Sequence, residues 1–458
     1  MNTENTLGTA PIPGLLMKFG IPSIVSFLIT SIYNMTDQVF IGQSVGALGN
    51  AATNVVFPFV TLASAIGLMI CAGTAADVSL SLGRGLQDRA ERIMANGLAL
   101  SLIAGVILCA AGEVFLTPLL YLFGSTDSVL PYAKSYGEII FIGTPFVMLG
   151  FAANYIIRSD GNPRYAMISN LVGAVINIIL DPIFIFVFKW GVAGAAIATI
   201  FSQFVVMVMN LTKLKNLKTL TFRAQYIRLK LSAIGTICSL GFASFITQAT
   251  MVLVQITINN SAVVYGAASK YGAEIPLACF GIVFKVIQLM TAVIFGLCVS
   301  TQPIFGFNFG ARKFDRVKKL LFITLGICIA VSIIGMAVLL LFPQQIIGLF
   351  GQESPLYIEF AVMFIRIISI FMPFMAFQLL SGVYYQAIGN PKAAIILTLS
   401  RQVLFLLPPM ILLPRLIGIT GIMYAFPISD LLAAVLGGVM IFRAVRDLTR
   451  SAAANVEC

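Results

Sequence analysis

Histidine is missing from these 458 residues, tryptophan occurs once, and only 10% of the chain is charged. Each shortage excludes something. A soluble protein needs roughly a quarter of its residues charged, and a mean hydropathy of +1.01 leaves no room for a sizeable soluble domain. The lack of histidine and of any metal-ligand spacing argues against an intramembrane enzyme, as does the lack of an acid pair at a membrane face suited to a sugar-phosphate donor. Cysteine is sparse too. Six of the seven (Cys71, Cys109, Cys238, Cys279, Cys298, Cys328) fall in apolar stretches, Cys458 is the last residue, and none has CxxC spacing. They are expected to be small packing residues rather than disulfides or metal ligands.

Residues Met1 to Gly14 are polar and lack a basic region followed by a small-residue cleavage site, so the first apolar segment is expected to be a retained span. The net charge of +11 does not point to nucleic acid, because the basic residues sit in short loops between apolar runs.

What the chain has in abundance is apolar runs. They lie near residues 15–41, 52–80, 93–118, 132–157, 165–188 and 191–212, then 233–260, 276–304, 317–342, 357–386, 392–414 and 418–442. Each exceeds the ~20 helical residues that cross about 30 Å of hydrocarbon. Backbone polar groups in lipid must bond within their own segment, so these runs are helices. With both termini cytoplasmic, 21 of the 28 Lys and Arg fall on the inner side, and only Lys134, Lys189, Lys270 and Arg415 on the outer. The other three lie within spans. That asymmetry sets a multi-pass topology in the cytoplasmic membrane.

The sequence is also duplicated. Leu82-Gly83-Arg84 through Asp88-Arg89 aligns with Phe309-Gly310-Ala311 through Asp315-Arg316 at an offset of 227, and Phe123-Gly124 aligns with Phe350-Gly351 at the same offset. Pro145 meets Pro373, and Gly161-Asn162-Pro163 meets Gly389-Asn390-Pro391, at 228; Gly191 to Gly194 meets Gly418 to Gly421 at 227. Six helices separate the copies, an even number, so both halves insert the same way round. The expected fold is an all-α membrane protein: twelve transmembrane helices in two pseudo-twofold-related six-helix bundles with a cavity between them. Its parts are an N-terminal lobe (1–212), a solvated cytoplasmic linker (213–230) and a C-terminal lobe (231–458).

Acids at membrane depth are the informative residues, since an ionised Asp at a helix centre costs about 2.5–3.5 kcal/mol. Thr30, Tyr33, Asn34 and Asp37 recur at steps of three and four and form one polar stripe that should face the bundle interior. Asp181 lies in the fifth span with Asn177 one turn before it, and Thr199 lies in the sixth. Counted from the nearest interface, Asp37, Asp181 and Thr199 all sit about 10 Å below the outer surface. Such a cluster could ligate a small cation through oxygen, or its two carboxylates could share a proton. The alternative is a hydrogen-bonded cluster that only holds helices together.

The second half has no acid opposite Asp37 or Asp181; the counterpart of Asp181 falls on Pro408-Pro409. It offers Gln248, Gln255 and Asn259 at helical spacing, along with Lys285, Arg366, Arg401 and Asp430 within spans. Arg401 and Asp430, on adjacent spans, are expected to form a buried pair. Tyr33, Asn34, Gln248, Gln255 and Asn259 are candidates for the walls of a substrate cavity, which eighteen Met and thirty-six Phe would help make adaptable. Pro22, early in span one, removes a backbone hydrogen bond and permits a bend.

Twelve spans in two parallel halves, Asp37 in the first helix, Asn177-x-x-x-Asp181 in the fifth and Thr199 in the sixth resemble the multidrug and toxic compound extrusion (MATE) family, closest to its MepA-like branch. The likeness covers nearly the whole chain. Pro22 falls where family members carry a bend-forming proline, and Asn154 where they place a polar cavity residue. The resemblance implies a V-shaped fold that exports cationic or amphipathic drugs against entry of Na⁺ or H⁺, with the cation (Na⁺ if sodium-coupled) at Asp37, Asn177, Asp181 and Thr199. No cofactor beyond the coupling ion, no nucleic acid and a monomer in the lipid bilayer are expected. A major-facilitator-type transporter and a lipid-linked saccharide flippase are the rival readings. The spacing of Gly83-x-x-x-x-Asp88-Arg89 departs from the first family's loop signature, and a flippase would favour more basic residues in the cavity.

Overall fold

The computed structural model describes residues 6–272, 274–348 and 354–456. The apolar runs form helices long enough to cross a bilayer: α1 (Ile12–Val45), α2 (Leu48–Gly83), α3 (Gln87–Val114), α4 (Leu130–Ser159), α5 (Pro163–Val187) and α6 (Gly191–Leu214). The second half has α7 (Leu231–Ala267), α8 (Ala278–Gly310), α9 (Phe314–Leu341), α10 (Pro355–Ser369 with Met372–Ala387), α11 (Pro391–Ile417) and α12 (Thr420–Thr449). This is an all-α, multi-pass membrane protein of twelve transmembrane helices.

One expected span is not straight. The run at 357–386 is broken at Ile370-Phe371 and bends by 49°. Pro373 follows the break and cannot donate a backbone hydrogen bond to Ser369. Its counterpart Pro145 lies inside the unbroken α4. There, Gly105 of α3 brings its backbone against Pro145, whereas α9 carries Ser332 at the matching position.

The duplication is visible in the packing. α4 lies against α2, α3 and α6, as α10 does against α8, α9 and α12; α5 packs on α1 and α6, as α11 does on α7 and α12. Gly161 and Gly389 end the preceding helices at φ 85° and 81°, a conformation that glycine adopts without Cβ strain, and the prolines at 163 and 391 start the next ones. The Phe350-Gly351 match lies outside the described residues, as does Cys458.

The halves meet through α1 with α8 and through α2 with α7 and α8. A Cβ on Gly83 would strike the Phe307 carbonyl and the Ala311 nitrogen, and one on Gly310 would strike the Leu80 carbonyl and the Arg84 nitrogen. Residues 80, 83 and 84 are each 227 positions from 307, 310 and 311. The contact is therefore reciprocal, the signature of a twofold operation. It closes the lobes at the end carrying most of the basic loops, here called the basic side.

Farther along, Gly296 packs on Ile24 while Gly241 packs on Met69, and Gly20 nears Ser300 while Gly73 packs on Ile237. These equivalences relate α1 to α7 by 217 residues, not 227. The longer connection between α7 and α8 takes up most of the ten, and none of the sequence landmarks lies in α1 to show it.

The linker is largely exposed, as a solvated loop would be, yet it is also tied to the first lobe. The buried Asp160 carboxylate accepts from the Lys218, Thr219 and Leu220 backbone nitrogens and from the Thr219 hydroxyl. Glu91 accepts from the Thr221 nitrogen at 3.0 Å and pairs with Arg223 at 3.3 Å. Asn96 bonds the Tyr226 carbonyl and the Lys230 nitrogen. The segment before α1 is held in turn by the second half: Asn308, Lys313 and Arg316 donate to the Leu7, Gly8 and Ala10 carbonyls at 2.9, 2.9 and 2.7 Å.

Candidate cation and substrate sites

Three helices of the first half bring the predicted polar residues together. α1 presents Tyr33 and Asp37 one turn apart, α5 presents Asn177 and Asp181, and α6 presents Thr199. Asn177 Nδ2 donates to Asp181 Oδ1 at 3.2 Å and to Thr199 Oγ1 at 3.4 Å. Asn177 is 1% exposed and Asp181 fully buried. Asp37 is half-buried and within electrostatic reach of Asp181. Asp181 immediately precedes Pro182 and a π-helical turn, Ile183–Val187, a local widening that recurs at functional sites.

Asp37 Oδ1, Asn177 Oδ1 and Asp181 Oδ2 are buried acceptors with no donor facing them. Such acceptors are costly in a low-dielectric interior unless a proton or cation meets them. Every group in the cluster offers oxygen, and among the described residues no basic side chain pairs with it. Among the described residues no three Asp, Glu or Cys side chains gather as a divalent metal would require. Two carboxylates, an amide oxygen and a hydroxyl suit a monovalent cation or a shared proton.

Two residues escaped the sequence reading. Gln203, one turn after Thr199, reaches the Tyr33 hydroxyl at 3.5 Å; its spacing on α6 was the available signal. Tyr136 of α4 lies within electrostatic reach of Asp37, Asp181 and Tyr33, and nothing in the sequence around it marks it out.

The other expected residues part company. Asn34 does not join the stripe inside the lobe but is exposed. It lies on the face of α1 that, a few turns earlier, meets α8 through Gly20, Ile24 and Phe27. Gln38 continues that face, also exposed. On α7 the face that touches α2 through Ile237 and Gly241 runs on to Gln248, Gln255 and Asn259. Gln248 is half-buried, and Gln255 and Asn259 are exposed and bonded to each other at 2.9 Å. Away from the basic side these faces become exposed, and their amides stand where the walls of the expected cavity would be. Asn154 is not on that wall: it is buried and donates to the Ala166 carbonyl at 3.1 Å. α1 runs through Pro22 without a break in this conformation.

The sequence profile of the MatE family matches residues 22–183 and 243–411, most of each half. The chain belongs to the MatE family. Among curated MatE-like relatives, a multidrug export protein MepA of Staphylococcus saprophyticus is 25% identical, the match covering 94% of each chain. An FAD transporter of Shewanella oneidensis is also 25% identical, over 95% of each. A solved multidrug resistance MATE transporter in an outward-facing conformation superposes with a TM-score of 0.91 at 22% identity, covering 98% of this chain and 99% of that one.

Within this MatE chain, the second lobe is filled differently from the first. Arg401 lies in a π-helical segment, Ser400–Leu406, and pairs with Asp430 at 2.8 Å. Their side chains are 14% and 8% exposed. Asp430 stands 227 residues after Gln203. Where the first lobe has an amide beside its acid cluster, the second has a closed ion pair.

Proposed function

We propose that this protein is a cation-coupled antiporter that exports cationic or amphipathic drugs and toxic organic compounds across the cytoplasmic membrane, driven by Na⁺ or H⁺ entry. It is a transporter and not an enzyme, and it works as one chain, since both lobes and the cleft come from one polypeptide. The observation that carries this reading is the meeting of three donorless acceptor oxygens from α1 and α5, beside the Thr199 hydroxyl, within one lobe of a MatE-family fold. The export activity named for the MepA relatives supports the substrate class.

The mechanism follows from electrostatics. Two neighbouring carboxylates in a low-dielectric lobe repel, so the cluster binds a proton or Na⁺ readily and releases it only into water. Asp37 is on α1, which also packs on α8. Filling the site changes the forces on the helix that joins the lobes, and that is the coupling between ion and conformation. On this reading the closed, basic side and both termini are cytoplasmic and the cleft faces out, which the excess of basic residues on that side supports. The test is transport in proteoliposomes with Na⁺ and H⁺ gradients imposed one at a time. Export driven by one gradient and abolished by its collapse is expected; export indifferent to both would overturn the antiport mechanism.

A further inference from the structure

Arg158, counted from the sequence among the loop residues, stands in the last turn of α4 and is 6% exposed. A long basic side chain near a helix end ordinarily extends to the water at the interface. This one turns into the lobe. Its guanidinium lies 5.2 Å from the Tyr155 ring and 5.9 Å from the Phe27 ring of α1. Nη2 donates to Asn154 Oδ1 at 3.1 Å, while Nη1 is buried with no hydrogen-bond partner. No ion pair involves Arg158 among the described residues. The acid nearest in sequence, Asp160, is committed to the linker backbone. Asn154 is itself fixed by the Ala166 carbonyl, Ser169 and Asn170. An arginine so oriented, between two aromatic faces and with one donor edge free, is built to receive a carboxylate or phosphate attached to a planar body. Phe27 stands edge-on to Phe295 of α8, ring centroids 5.0 Å apart, so it belongs to the seam between the lobes.

We propose that Arg158 is the recognition site for an acidic group on the transported molecule, extending the substrate class to aromatic anions and zwitterions. The site opens when Phe27 leaves Phe295 as the lobes separate on the basic side. This rests on the efflux reading above for the molecule's identity as cargo, but the binding itself is measurable without transport.

Riboflavin and its 5′-phosphate share one aromatic body and differ by the anion, so they serve as paired probes of the purified protein in neutral detergent. The phosphate ester is expected to bind at least tenfold more tightly than riboflavin. Arg158→Gln should erase that preference, and Arg158→Lys should keep part of it. Equal affinity of the wild type for both probes, or an unchanged preference in Arg158→Gln, overturns the proposal. Since Arg158→Gln risks misfolding, its thermal unfolding is followed in parallel, and the lysine variant carries the argument if glutamine fails to fold. Phosphatidylglycerol added to the micelles separates a lipid source: if it alone binds in an Arg158-dependent way, the arginine seats a headgroup and the proposal falls. Ethidium export by wild-type proteoliposomes is a separate arm; its absence would sink the efflux reading while leaving the flavin comparison standing.

Discussion

The two lobes repeat one packing plan, yet Asp37 and Asp181 in the first and Asp430 in the second meet different surroundings. The first holds Asp37 and Asp181 with no basic neighbour and leaves three acceptor oxygens unmet. The second sets Arg401 against Asp430 at 2.8 Å, and Ser429 bonds the Arg401 carbonyl at 2.9 Å. A closed pair satisfies its own charges, whereas the acid cluster has no cationic side chain among the described residues to satisfy it. The difference teaches that two copies can keep one packing plan while the charges buried within it diverge.

Four experiments would break or sharpen this contrast, the largest effect first. Asp37→Asn or Asp181→Asn should abolish gradient-driven efflux while membrane levels of the protein stay normal; efflux at wild-type rates in both would remove the first lobe's special status. Asp430→Asn leaves Arg401 buried without its counter-charge, which should lower stability by about 3–5 kcal/mol. Thermal unfolding in detergent reads this, and an Arg401→Met, Asp430→Leu double variant should recover most of the loss. If Asp430→Asn unfolds like wild type yet stops transport, the second lobe holds chemistry after all.

Gly83→Ala and Gly310→Ala test the symmetry of the lobes instead of their difference. Each Cβ meets backbone across the seam, an overpacking of about 1–3 kcal/mol. Both should shift the population toward separated lobes on the basic side. Distances between spin labels at Leu86 and Arg312 should lengthen comparably in the two variants; a response in only one would show that the contact is not reciprocal. The smallest effect is expected from Thr199→Ala, which removes one oxygen worth about 1 kcal/mol. The ion concentration for half-maximal transport should rise about fivefold, and Thr199→Ser should restore it.

Much of the site was legible because lipid is an unforgiving solvent. Asp37, Asn177, Asp181 and Thr199 stood out as polar side chains in apolar runs at one depth, and the hydrogen bonds of Asn177 bring three of them together. Tyr136 was not legible, since a tyrosine in an apolar helix looks the same whether it packs or lines a site. Asn34 left the inward stripe it was grouped with, because helical periodicity gives a residue's angle around the helix but not what lies opposite it. Arg158 was misplaced because its position near a helix end does not say which way a long side chain turns.

Composition and the order of apolar runs were enough to determine twelve helices, their duplication and the side on which basic loops gather. Those features follow from backbone hydrogen bonding in lipid and from local charge, both of which act along the chain. Tertiary structure alone decided the bend at Phe371, the docked linker, the ten-residue difference between α1 and α7, and the inward turn of Arg158. Each of these depends on which surfaces far apart in the chain come within hydrogen-bond or van der Waals reach, a distance that no periodicity encodes.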